Sequence, residues 1–200
     1  MTRTNLAYHF TGDTLRDGSP IPPIGEWLEH EGDVKLCESG LHFSRHPFDA
    51  LTYAPGSLLH LVEVDYIEEE DTDKGVCRGR KIVATIDAKK LLRECARKWA
   101  LDVIDEWPAP DVVVQWLNTG DESLRSRAES AAWSAARSSA WSAAGSAAGS
   151  AARSAAWSAA RSSAWSAADA ASLIAAQREY FAQKVNEAFN KEKENNDDTN

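Results

Sequence analysis

Leu6, Tyr8 and Phe10 alternate with Asn5, Ala7 and His9, the period-2 signature of a strand. Thr11-Gly12-Asp13 reads as a turn, and Pro20, Pro22 and Pro23 exclude regular structure until a short strand at Glu26-Trp27-Leu28. Glu38-Ser39-Gly40 is a second turn, launching a strand at Leu41-His42-Phe43-Ser44. Pro47 suits the first position of a helix carrying Phe48, Ala50, Leu51 and Tyr53, which Pro55-Gly56 ends. Leu58 to Val64 and Lys81 to Ile86 are dense apolar strands. Asp87 is a good N-cap for a helix whose broad apolar face holds Leu91, Leu92, Cys95, Trp99, Leu101, Val103 and Ile104. A shorter helix from Asp111 to Leu117 ends at Asn118-Thr119-Gly120. Strands first and helices after predict an α+β domain with a small antiparallel sheet over residues 1–120.

From Ser126 the pattern changes to a tetrapeptide with Ser at every fourth position, two residues that are small everywhere except Arg127, then a variable one. The variable slots include Glu129, Trp133, Arg137, Trp141, Gly145, Gly149, Arg153, Trp157, Arg161, Trp165 and Asp169. Ala131–Ala144 recurs unchanged as Ala155–Ala168, the mark of a duplication. So much Ala and so few branched residues predict a helical arm over 121–172. Four residues advance the helix by about 400°, so successive slots rotate by about 40°. On one straight helix Trp133, Trp141, Trp157 and Trp165 therefore fall at about 0°, 80°, 240° and 320°, too widely spread for one face to bury both pairs. Two arrangements stay open: a continuous long helix, or a hairpin reversing at Gly145–Gly149, where each Gly costs about 1 kcal/mol of helix stability. The slots mirror one another about Gly149, Trp141 with Trp157, Arg137 with Arg161 and Trp133 with Trp165, which suits the hairpin. Trp and Arg four apart are neighbours on a helix surface and stack as cation–π pairs. Leu173, Ile174, Tyr180, Phe181, Val185 and Phe189 then form an ordinary amphipathic helix over 173–190. Residues 191–200 are polar and are expected to be a disordered tail.

Composition narrows the chemistry. The apolar fraction of 43% is inflated by the alanines of the arm, but the front 120 residues have enough apolar side chains for a core. The net charge of −9 includes the run Glu68-Glu69-Glu70-Asp71, read as a solvated loop. An acidic domain with no basic stripe argues against nucleic acid as a partner. Three cysteines without a CxxC spacing support neither a disulfide framework nor zinc, and no metal site is expected from the scattered histidines. No apolar run approaches the length of a membrane span, and Met1 to Asn5 starts no secretory signal, so the expected compartment is the cytoplasm. HExxH, GxGxxG, Walker and GxSxG motifs are all missing. Four large aromatics on an Ala/Ser rod point to burial against another chain, because interfaces are enriched in Trp and Arg. The expected function is therefore non-catalytic interaction. Trp133, Arg137, Trp141, Arg153, Trp157, Arg161 and Trp165 are its candidate contact residues, with no cofactor required.

Two resemblances add to this. The order Tyr8-His9-Phe10, Gly40-Leu41-His42-Phe43-Ser44, Ala50-Leu51-Thr52-Tyr53 and the strand Leu58–Val64 resembles the diphtheria-toxin-like ADP-ribosyltransferases. The resemblance implies NAD as cofactor, His9 at its ribose, Tyr53 on the nicotinamide and His42 at the place of that family's first Tyr. Phe10 stands where that family has a Gly, and the late strand Lys81–Ile86 carries no acid for its Glu. Over most of its length the chain is similar to an uncharacterised family of phage and bacterial proteins. They have an N-terminal domain of unknown function and Ala-Trp/Ala-Arg repeat tails. The shared segments are Tyr8-x-Phe10, Gly40-Leu41-His42 and the run from Pro47 through Asp49-Ala50 to Tyr53-Ala54-Pro55-Gly56. That likeness implies a phage setting, with the host cytoplasm as compartment. The partner is then a further copy of the chain or a host protein, and inhibition of host defence a possible use. The alternatives are an NAD-binding domain and a protein that sequesters a nucleotide signal.

Overall fold

The computed structural model describes residues 5–102, 104–106, 109–135 and 154–197, with the backbone alone at 106, 154–171 and 196–197. The front of the chain is a five-stranded antiparallel sheet and the rear is helical, the α+β architecture that the strand-then-helix order predicts. Strands are β1 (Leu6–Thr11), β2 (Trp27–Glu29), β3 (Leu41–Phe43), β4 (Leu58–Glu70) and β5 (Gly75–Asp87). Helices are α1 (Pro47–Thr52), α2 (Lys89–Asp102), α3 (Asp111–Thr119), α4 (122–135) and α5 (Ser154–Asp197).

β4 and β5 form a hairpin of two 13-residue strands, closed where Asp71 N–H donates to the Lys74 carbonyl at 2.8 Å. β1 lies on the free edge of β4 with His9 opposite His60, while β2 and β3 both pair with the other edge of β5. The sheet then curls back on itself, since Tyr8 and Ser44 exchange backbone hydrogen bonds at 2.8 and 3.0 Å. Curling that far needs a bend, and Val83 supplies one. Leu61 pairs Ala84 and Val62 pairs Ile82, so Val83 is the extra residue of a bulge. The interior cluster is Ala7, Phe43, Val62, Val64, Cys77 and Ile82.

The acidic run is not a loop. Glu68 to Glu70 end β4, exposed to solvent, with Glu69 opposite Val76, Glu70 opposite Gly75 and Glu68 the extra residue where the register shifts. Arg78 meets Glu68 at 3.6 Å, and Arg45 meets Glu70 through two bonds of 2.8 and 3.0 Å. Pairing with β5 overrides the weak strand propensity of glutamate.

Met1–Leu92 with Arg178–Asn200 make one compact unit, and Arg93–Gln177 a second. In the first unit the amphipathic end of α5 buries Phe181 and Val185 completely. Phe48 of α1 meets Phe181 edge-on at 6.2 Å, and Arg178 grips both oxygens of Asp49. α1 starts at Pro47 as its sequence predicts, and His46 is its N-cap, Nδ1 accepting from Phe48 N–H at 3.2 Å. Residues 191–197, expected to be disordered, continue α5.

In the second unit Val113, Leu117 and Ala128 form a small core with Leu101, Ile104, Trp116, Ala131 and Ala132 against it. Gly120 ends α3 in the left-handed conformation at φ 66°, as the Asn-Thr-Gly signal predicts. Asp121 then caps α4 by accepting from Ser123 N–H at 2.9 Å.

Two contacts can be tested directly. Gly75 stands opposite Phe43, and a Cβ there would lie 2.4 Å from the ring of that buried residue. Gly75→Ala is expected to lower stability by about 1–3 kcal/mol, read as a lower urea midpoint at unchanged slope. Asp49→Ala removes the partner of a partly buried guanidinium and should cost about 2 kcal/mol, with faster amide exchange over 178–190.

Candidate functional site

The strands that build the core also enclose a polar group of unusual composition. β1 supplies His9 and Thr11, β4 supplies His60, and β5 supplies Arg80 and Thr85. His9, Thr11, His60 and Arg80 line a cavity of about 10 Å3, and Leu15, Pro22 and Leu28 complete its wall. That volume admits one water-sized group. The sheet register explains the convergence: His9 faces His60, and His60 faces Thr85, so all three side chains share the interior face.

His60 is fully held. Thr11 Oγ1 donates to the Gly12 carbonyl at 2.9 Å and lies 2.8 Å from His60 Nε2, while Thr85 Oγ1 lies 2.8 Å from Nδ1. The network assigns the proton to Nε2: Thr11 accepts it, and Thr85 donates to Nδ1. Burial, and next the Arg80 charge, pull the His60 pKa down to about 4. His9 is driven well below the ordinary histidine value by burial first, then by Arg80, His60 and His42. Both rings are neutral at pH 7.

Arg80 is the single charge in this group. Its side chain is 7% exposed and Nη1 donates to the His42 carbonyl at 2.6 Å. Burial pulls its pKa down to about 10, still well above neutrality. Cys77 offers no counter-charge, because burial pushes its thiol up to about 11 and Sγ–H donates to the Leu41 carbonyl at 3.2 Å.

The histidine and tyrosine singled out by the ADP-ribosyltransferase resemblance fall in two places. His9 is in the cavity. Tyr53 lies by Lys74 at the hairpin turn instead, and His42 stands between the two, close enough to Arg80 and to Lys74 for both charges to act on it. His42 Nε2 accepts from Cys37 N–H at 2.9 Å, Cys37 itself sitting at φ 67°. Tyr53, half exposed, donates to Asp73 at 2.5 Å and lies under the Lys74 ammonium, 5.1 Å from its ring centre. Tyr53 does not line the cavity of His9.

Of the arm, Trp133 is described and is 74% exposed on α4. Arg137, Trp141 and Arg153, and the reversal weighed at Gly145–Gly149, lie outside the described residues, as do the side chains of Trp157, Arg161 and Trp165. The backbone of the second duplicated segment is helical, within α5. Arg80, His60, Thr11 and Thr85 were missed by sequence reasoning. Their one signal is a polar residue at an inward position of an otherwise apolar strand. Among the described residues no cluster of His, Cys, Asp and Glu is suited to hold a metal, and no helix is long and apolar enough to cross a membrane.

Residues 5–94 match the model of a family described as a domain of unknown function (DUF7666). This places a domain of unknown function at the N-terminus, as expected. No curated protein and no solved structure matches the chain.

The two neutral histidines set a pH dependence. A histidine whose folded pKa lies below its unfolded value binds fewer protons when folded, so stability is complete above about pH 6.5 and falls as pH drops toward 4. For His60 the loss amounts to about 3 kcal/mol, and His9 acts in the same direction. Urea midpoints measured from pH 7 to pH 4 should fall steadily. His60→Gln should flatten that slope, and an unchanged slope would contradict the assignment.

Proposed function

We propose that this is a non-catalytic interaction protein whose Trp/Arg arm joins copies of the chain. The observation that carries the reading is Trp133, whose indole is 74% exposed on α4 while its neighbours Ala131 and Ala132 pack against the second core. The small residues thus make the contact within the chain, and the large aromatic is left to the outside. Burying one indole removes roughly 150–250 Å2 from water, or about 4–6 kcal/mol gross at ~25 cal/mol per Å2. Lost rigid-body freedom and side-chain ordering offset most of this. Repetition of the slot along the arm is what makes a surplus possible.

A soluble monomer rarely exposes such a row of aromatics, and the self-associated form is the reading the duplication favours, since identical segments present identical faces. A host protein is the foreign counterpart of the same reading, with inhibition of host defence as its use in a phage setting.

Light scattering over a wide dilution series should give a mass above the monomer that falls on dilution. Replacing Trp133, Trp141, Trp157 and Trp165 together with Ala should yield the monomer at every concentration while the circular dichroism of the sheet domain persists. A constant monomer mass for the unaltered chain would reject self-association and favour an arm folded on itself.

A further inference from the structure

Two polar groups that the fold leaves short of partners line the same small space. Arg80 is 7% exposed, and among the described residues its one hydrogen-bond partner is the His42 carbonyl, which Nη1 meets at 2.6 Å. A guanidinium has five N–H donors, so most of them are left for something other than a protein acceptor. His9 is the second group. Burial above all keeps its ring neutral at pH 7, with one N–H and one bare nitrogen. Neither nitrogen has a partner among the described residues. Both side chains line the cavity of about 10 Å3. The other polar residues of its wall differ in what they have left to give. His60 is bonded on both nitrogens. Thr11 Oγ1 donates to the Gly12 carbonyl and accepts from His60, which leaves it one lone pair.

We propose that this cavity binds one water molecule, which ties Arg80 of β5 to His9 of β1. Size and chemistry both select water. A volume of about 10 Å3 holds one water and nothing larger. A buried water needs about two to four polar partners, and the wall supplies them. Its oxygen accepts from the Arg80 guanidinium. Its two hydrogens go to the bare nitrogen of His9 and to the open lone pair of Thr11. The joining group has to accept from a cation that only donates, and donate to a ring nitrogen that only accepts. Water does both, and a single-atom ion cannot. β4 lies between β1 and β5, so the two strands share no backbone ladder. The water therefore makes a link across the interior of the curled sheet that strand pairing does not make. It also fixes the His9 tautomer, because the nitrogen facing the water is the one without a proton.

The test uses the full-length protein at pH 7, crystallised for data that resolve single waters and, labelled with 15N, measured in solution for cross-relaxation between water and amide protons. One density peak is expected within hydrogen-bond distance of both the Arg80 guanidinium and a His9 ring nitrogen. In solution the amides beside the cavity should show cross-peaks to a long-lived water. His9→Phe keeps a ring and removes both nitrogens, so the density peak and the cross-peaks should disappear together. Should that variant fail to fold, the two measurements on the unaltered protein decide the matter. A cavity without density, an Arg80 side chain bonded directly to His9, the lack of any long-lived water in solution, or a water retained in place by His9→Phe would each overturn the site.

Discussion

β4 and β5 run side by side over 13 residues each, and every other strand is attached to one of them: β1 to β4, and β2 and β3 to β5. None of those three is long enough to stand alone, since an isolated short strand or hairpin is marginal in water. Two features of the pair determine the rest. The bulge at Val83 bends it, and the bend carries the chain after β3 onto β1. The missing side chain at Gly75 lets Phe43 lie across its end. A slip of one residue in this register would turn His60 and Arg80 outward and expose Val62 and Val64.

That register explains why a small interior accepts so much polarity. The two histidines are tolerable because they are neutral, and His60 because both nitrogens are also satisfied. Arg80 stays charged, and its burial beside them lowers their pKa further, so the cluster is electrostatically coherent rather than a set of separate defects. The α1–α5 contact works differently. There the charge pair of Asp49 and Arg178 lies at the margin of an apolar contact between Phe48 and Phe181, where it gives direction to a hydrophobic attachment.

Much of the secondary structure is legible because local chemistry determines it. Pro47 and Pro55-Gly56 bracket α1, Asp87 accepts from Lys89 N–H at 2.9 Å to begin α2, and Gly120 ends α3. The acidic run is the instructive exception: Glu68 to Glu70 look like a loop by composition, yet β5 sets Val76 and Gly75 opposite Glu69 and Glu70 and, through Arg78, gives Glu68 a counter-charge. The cavity was legible only in fragments. His9 stands out in a strand, but its meeting with His60 and Arg80 depends on which residues pair across strands far apart in the chain.

The sequence by itself determined where helices and strands start and stop, the α+β class, the amphipathic face of Phe181 and Val185, and the repeat that spaces the tryptophans. These follow from backbone sterics, capping and periodicity, all interactions within a few residues. The tertiary structure alone decided that α5 docks on α1 across 129 residues of chain, and that Tyr53 parts company with His9. It also decided that one guanidinium and two neutral histidines share a space for one small group. Those outcomes depend on strand register and sheet curvature, which sum weak preferences over the whole domain and leave no mark at any single position.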